Sequence, residues 1–364
     1  MSIIHRLTPF DGTRDASRPL ARIDNIREAA KDFRRAMLAG PHVRYYESME
    51  LVRVPYPTRY GYLNAFSALS PYLHLVNRLF VIQFDSADGI KTLLASPSDW
   101  EHQRDTPFFK RLTDSMGPAA GIGEAMVFRK TATVLDCLAR LGLKPEDIDY
   151  LTYDHLHTQN LTRWLGGPQP VFPNAKLLVM REEWESTQSL IPWQAQWYCP
   201  GGIDGIAEER VILLDHDVAL GDGSVALVRT KGHTEGNHSI VANTPEGIKV
   251  TSENGVSLDA YVPERSSIPG VAHYARVTGS EVVLNGNTLE YGIDQYLSMI
   301  QEKCIAGPNP RDERYPNIAP SSESAGFWLF PQTRPSFQVG NLKYGSLHRP
   351  AATTDSTPRR QRAA

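Results

Sequence analysis

Two histidines spaced two apart, His155 and His157, close a short apolar run that begins at Tyr150. In a β-strand, side chains at i and i+2 stand on the same side. A strand end at this point therefore presents two imidazoles to one place. A third histidine, His233, follows a second apolar run, Val225 to Arg229, in the segment Thr230-Lys231-Gly232-His233-Thr234-Glu235-Gly236-Asn237-His238-Ser239. Two facing histidines and a distant third on another strand end make the ligand set of a catalytic zinc site, three protein ligands and one open position. No Asp-His pair follows the first two. Gln159 and Asn160 stand there instead. Taken alone, a His-x-His pair is more often two hydrogen-bonded polar residues than a metal grip, so the flanking pattern has to decide.

The elements that must position these residues are legible in outline. Leu79 to Phe84 reads as a strand, Asp85 to Gly89 as a turn, and Ile90 to Ala95 as the return strand of a hairpin. Thr131 to Leu141 reads as an amphipathic helix stopped by Gly142, and Lys144 to Asp147 as a turn. Ile148 starts the strand expected to carry His155 and His157. Lys176 to Met180 is a strand followed by a helix, and further strands are expected at 211–214, 225–229, 239–243 and 248–251. A long helix is expected over Thr288 to Lys303, and an earlier one over Arg22 to Leu38 with Ile26, Ala29, Ala30, Phe33 and Met37 on one face. Residues 105–123 read as a loop with short helical stretches, and residues 308–335 are rich in Pro and Ser. The first 75 residues carry no chemical motif and read as a packing extension or dimer arm. The basic end, 346–364, reads as a disordered tail.

Composition bounds the class. The chain has 364 residues, 41% hydrophobic and 22% charged, with a net charge of −3. This is ordinary for a soluble globular protein and gives no reason to expect nucleic acid or an anionic membrane as partner. The N-terminus has no signal-peptide pattern, and no run reaches the roughly 18–20 apolar residues of a membrane span. Cys137, Cys199 and Cys304 are too few and too scattered for a disulfide framework. A cytoplasmic location is expected.

The order helix, Gly142-Leu143-Lys144-Pro145-Glu146-Asp147-Ile148-Asp149, strand, His-x-His resembles the metallo-β-lactamase fold superfamily. So does Phe172-Pro173-Asn174-Ala175-Lys176 followed by a strand and Glu182-Glu183-Trp184-Glu185, and so does Gly232-His233-Thr234-Glu235-Gly236-Asn237-His238-Ser239. The resemblance covers roughly residues 76–345, and its flavour is the lactonase-like hydrolase branch. It implies an α/β fold, an αββα sandwich of two mixed sheets with helices outside and a metal site at one sheet edge. It implies His155, His157 and His233 as ligands of the first metal. Gln159 and Asn160 fall where the family has the Asp and His of a second metal. The bridging Asp has its counterpart in Glu253, twenty residues past His233, with Asn254 as neighbour. The last family histidine corresponds to Ser322, and the acid after it to Glu323. An amide is a poor substitute for imidazole or carboxylate on zinc, so one Zn2+ per chain is expected, with Fe or Mn as alternatives.

One such metal lowers the pKa of bound water to about 7 and polarises a carbonyl. The expected function is a mononuclear metallo-hydrolase that attacks an ester, lactone, thioester or amide with metal-bound hydroxide. Glu253 is the first candidate for ligand or base, and Asp154 for an orienter of His155. Gln159, Asn160, Trp193, Ser322 and Glu323 are expected at the substrate pocket of a small molecule, and His238 is expected to be structural. A homodimer is possible. Two other readings stay open: a non-catalytic binding or scaffold protein on a degraded hydrolase fold, and a mononuclear iron oxygenase-type enzyme using two histidines and Glu253.

Overall fold

The computed structural model describes residues 3–114, 128–286 and 291–350. Its longest strand, Tyr72–Ser86, is buried along most of its length and organises the larger sheet. That sheet has nine strands. Its main path runs Lys343–Gly345, Tyr45–Pro57, Tyr72–Ser86, Gly89–Ala95, Tyr150–Thr152, Lys176–Met180, Val211–Leu214. Two further strands attach to this path. Arg129–Lys130 pairs with Tyr45–Pro57, and Ser322–Ala325 pairs with the first part of Tyr72–Ser86. The half from Gly89 to Leu214 is parallel. The smaller sheet has five antiparallel strands in the order Ile4–Arg6, Val218–Leu220, Val225–Arg229, His238–Thr244, Gly247–Thr251.

Every residue of His238–Thr244 is buried. A strand buried on both faces has to be covered on both sides. Helices Pro19–Leu38 and Gly292–Ala306 pack together against the small sheet, and one continuous apolar core links both sheets to the helices. The layering is thus α/β, two sheets with helices outside, as the resemblance implies. Among the described residues no helix is long and apolar enough to cross a membrane.

Local chemistry explains most element ends. Pro19 sits in the first turn of the first helix, where its missing N–H is no loss, so the helix starts three residues before the expected Arg22. Helix Val134–Leu141 begins only after Thr133, whose hydroxyl and Asp136 form a reciprocal capping box, and it ends at Gly142 with φ 69°. The expected hairpin Leu79–Ala95 forms, with Phe80 opposite Ala95 and Asp85 opposite Ile90.

Four expectations change. The boundary placed at 75/76 falls inside Tyr72–Ser86, so the first 75 residues are not a separable extension. They supply an edge strand of the small sheet and Tyr45–Pro57 of the large one. The latter strand contains a bulge between Glu50 and Val52, which breaks the period-two pattern that marks a strand in sequence. The Pro/Ser-rich stretch contains a small hairpin, Pro308–Asn309 with Asp312–Pro316, and the strand Ser322–Ala325. Residues 346–350 are docked, with His348 exchanging hydrogen bonds with the Gln83 side chain. The rest of the expected tail, 351–364, and part of the 105–123 loop lie outside the described residues.

Glu323 is the fourth. Adjacent residues of a strand face opposite ways. Ser322 opens toward the histidines, so Glu323 points away, to an ion pair of 2.7 Å with Arg78; both side chains are buried. Its carboxylate also accepts the Val339 and Gly340 N–H groups. It is a structural anchor rather than a pocket residue. Glu323→Ala strands the Arg78 charge and is expected to cost about 3–5 kcal/mol, read as a lower denaturant midpoint. Replacing both partners, Arg78→Met with Glu323→Leu, should recover most of that loss; no recovery would show that the pair is not what holds this corner.

Candidate metal centre

Three strand ends converge, one from the large sheet and two from the small. Tyr150–Thr152 stops before the histidines, so His155 and His157 sit in the turn after the strand rather than on it. The strand-alternation argument for their shared direction therefore fails. The turn itself does the aiming. Thr158 just beyond has φ 62°, a left-handed backbone that a β-branched residue rarely accepts. Its N–H is held by the Trp197 carbonyl at 2.8 Å. His233 follows the end of Val225–Arg229, and Glu253 follows the end of Gly247–Thr251. These two strands flank His238–Thr244 and run the same way, so their ends share an edge.

The result is a cluster of three buried imidazoles. One nitrogen from each of His155, His157 and His233 lies within 4.8 Å of the others. His157 Nδ1 and His233 Nε2 are 3.2 Å apart. The rings stand edge to face, with centroids 4.4–4.9 Å apart. Burial, reinforced by the neighbouring His155, pushes His157 and His233 well below the ordinary histidine range. Both are neutral near pH 7, as metal ligation requires.

His155 differs. Its Nδ1 faces Asp154 Oδ2 at 3.2 Å, which leaves Nε2 for the cluster. Burial opposes a charge on His155, but Asp154, Glu253 and Glu183 outweigh it and raise its pKa. Burial likewise works against the Asp154 carboxylate; His155 and the Ser321 hydroxyl, donating at 2.9 Å, hold its pKa below the usual range. A carboxylate beside one ring nitrogen, with the other ring nitrogen turned to the cluster, is the kind of contact that orients a metal-ligating histidine. Asp154 lies beside His155 through turn geometry.

Glu253 joins a second group, with Asp154 and His155. It is half-buried and lines a small cleft of about 50 Å3 with His155, His157, Gln159 and Ser322, walled by Tyr56, Phe108 and Phe109. Desolvation pushes its carboxyl up to about 7, against the pull of His155. Ser322 is in this cleft, its hydroxyl accepting from Asn77 at 2.8 Å. Gln159 lines it too, but its carbonyl oxygen is taken by Ser98 and Gln103. Asn160 lies beside the Cys199 thiol, and its Oδ1 is buried without a hydrogen-bond partner among the described residues. Trp193 is 59% exposed and lines neither this cleft nor its neighbour; it sits in the short helix Pro192–Ala195, whose burial is slight. Trp197 and Tyr198 approach instead, the Tyr198 ring 4.8 Å from that of His157.

Sequence reasoning missed the support beneath His233. Asn254 Oδ1 accepts the His233 N–H at 2.9 Å, while its Nδ2 donates to Glu302 at 2.7 Å and to the Thr230 carbonyl at 3.0 Å. Glu302 is fully buried and accepts from Ser239 and Tyr261 as well. Its helix turns Gln295, Ser298, Gln301 and Glu302 inward together, and Ser298 binds the Lys231 carbonyl at 2.5 Å. A polar stripe at helical spacing reads in sequence like a solvated face. The available signal was that this stripe lies on a helix with few other charges.

No family model matches the chain. It is 26% identical over 171 residues to an N-acyl homoserine lactonase AttM of Rhizobium radiobacter, a match covering 43% of this chain and 60% of that protein. It is 29% identical over 111 residues to an N-acyl homoserine lactonase of a Bacillus species, covering 30% and 39%. The chain therefore matches at most about three-fifths of the length of these relatives. The chain resembles the lactonase branch of the metallo-β-lactamase superfamily. A solved N-acyl homoserine lactone hydrolase with the product N-hexanoyl-L-homoserine at its metal centre aligns over 68% of this chain and 94% of its own, with 16% identity and a TM-score of 0.44.

Asn254→Asp would set a second carboxylate against Glu302 in the same dry space. We expect a stability loss of about 2–4 kcal/mol in denaturant unfolding, from like charge and a lost donor. An unchanged midpoint would show that Asn254 does not carry the His233 turn.

Proposed function

We propose that this chain is a metal-dependent hydrolase that opens a lactone or a related ester, with one metal ion held by His155, His157 and His233. The observation that carries the reading is the cluster itself: three buried imidazoles with nitrogens converging within 4.8 Å, two of them held neutral. Three nitrogens with room for a fourth ligand suit zinc best, with iron or manganese as alternatives. An ion so held would supply a carbonyl-polarising charge and a water acidic enough to ionise near neutral pH.

The chain's own residues define the rest. His155 presents Nε2 because Asp154 occupies its Nδ1 side. His157 presents Nδ1 and His233 presents Nε2. Glu253 stands beside His155 at the cleft wall, placed to accept a proton from a water attacking a substrate carbonyl. Of the family's second-metal positions, Gln159 and Ser322 are engaged in other hydrogen bonds and Asn160 offers only an amide, which supports a single ion. A larger cavity of about 310 Å3 adjoins at Gln159, with Leu156, Leu161, Leu190 and Ile203 among its walls. It supports a substrate with an apolar portion, in keeping with the acylated lactones named for the relatives.

Elemental mass spectrometry on the wild type and on His155→Ala/His157→Ala tests the site. About one ion per chain, lost in the double variant, is expected. A folded wild type without metal would overturn the reading and favour a binding role; two ions would refute the single-metal part. Glu253→Gln should keep its metal and lose about 10²–10⁴-fold in kcat on a responsive lactone. Loss of the metal instead would make Glu253 a ligand.

A further inference from the structure

Glu183 belongs to the helix Arg181–Gln188 and is 1% exposed. Its two oxygens gather four donors from three separate segments. Oε1 accepts the Leu156 N–H at 2.7 Å and the Tyr198 hydroxyl at 3.5 Å. Oε2 accepts the Thr234 hydroxyl at 2.6 Å and the Gly236 N–H at 3.2 Å. Leu156 lies between His155 and His157. Thr234 and Gly236 come directly after His233, and Tyr198 stands against the His157 ring. The loop fits this closely only without a side chain at 236, since a Cβ there would come within 2.1 Å of the Glu183 backbone nitrogen.

We propose that Glu183 is a positioning residue that sets the metal affinity of the three-histidine site by clamping both ligand loops with one carboxylate. The proposal rests on the reading of that site as a metal centre. No Lys or Arg lies within ion-pair distance of Glu183 among the described residues, in contrast to Glu323 with Arg78. A buried carboxylate without a cation is costly. Hydrogen bonds from two backbone N–H groups offset part of that cost, and a metal ion among the histidines offsets more. The coupling is reciprocal: an anion that a bound cation stabilises also strengthens the hold on that cation.

Glutamine keeps the shape but not the function. A hydroxyl can turn from donor to acceptor, whereas a backbone N–H cannot. Leu156 and Gly236 address different oxygens, so one of them must face the amide NH2 of Gln whichever way it is turned. Zinc affinity, measured on folded protein by competition with a chromogenic chelator, should fall about 10–100-fold in Glu183→Gln. Thr234→Val removes one hydroxyl donor at similar volume and should cost about fivefold. Glu182→Gln, on the same helix but at the surface with Arg229, should stay within about twofold of wild type. Thermal unfolding of the metal-free proteins is the companion readout. A purely structural role lowers that stability and leaves affinity on the folded fraction unchanged. Should Glu183→Gln fail to fold, Thr234→Val decides. Wild-type affinity in both variants overturns the clamp alone. A wild type that takes up no zinc overturns the clamp and the metal-centre reading together.

Discussion

Turning three imidazole nitrogens toward one another inside a dry pocket is the constraint on which the rest of this edge depends. Each ring gives up water, and no ring satisfies its neighbours well. The arrangement survives only if the turns carrying the rings cannot relax. The structure answers with buried polar groups rather than with apolar packing. Asp154 fixes the His155 ring, Asn254 fixes the His233 backbone, and Glu183 ties the turn between His155 and His157 to the one after His233. Each of these carries at least one further hydrogen bond of its own, as buried polar networks must to be worth forming.

That requirement accounts for the make-up of helix Gly292–Ala306. A helix packed on a sheet ordinarily buries an apolar stripe. This one also buries Gln295, Ser298, Gln301 and Glu302. Their partners are the Asn254 carbonyl, the Lys231 carbonyl, the Arg229 carbonyl and the Asn254 amide, all on the turns that end two strands of the small sheet. Those turns leave the β-ladder and lose their regular partners. The helix face replaces them. Gly232, with φ 156°, permits the approach, since a Cβ there would meet the Gln295 backbone at 2.2 Å.

How much of this could be read in the sequence follows from the range of the interactions. The three histidines were legible because their spacing and flanking runs are local, and most strands near them were too. The direction of His155 and His157 was inferred from strand alternation, yet it is set by a turn whose strained Thr158 leaves no mark in the pattern. Tyr45–Pro57 was hidden by its bulge and its two prolines. Ser322 and Glu323 were matched to the last histidine and acid that the resemblance implies, although neighbours in a strand face opposite ways. Glu302 and Asn254 lie 48 residues apart in sequence, and nothing short of the folded chain brings them together. Glu183 sat inside a motif that served as a landmark, with no hint that its carboxylate reaches both ligand turns.

The fate of the second-metal positions carries the same logic one step further. A carboxylate and an imidazole left without a second ion would remain as buried groups seeking charge or proton. At this edge those places hold amides and a hydroxyl, which neutral partners can satisfy. Gln159 takes Ser98 and Gln103, and Ser322 takes Asn77. None of these pairings needs a cation. The carboxyl groups nearest the cluster, Asp154 and Glu253, are the two that group with His155. Gln159 and Ser322 are thus satisfied by neutral neighbours, where a buried carboxylate or imidazolium would call for a partner of opposite charge.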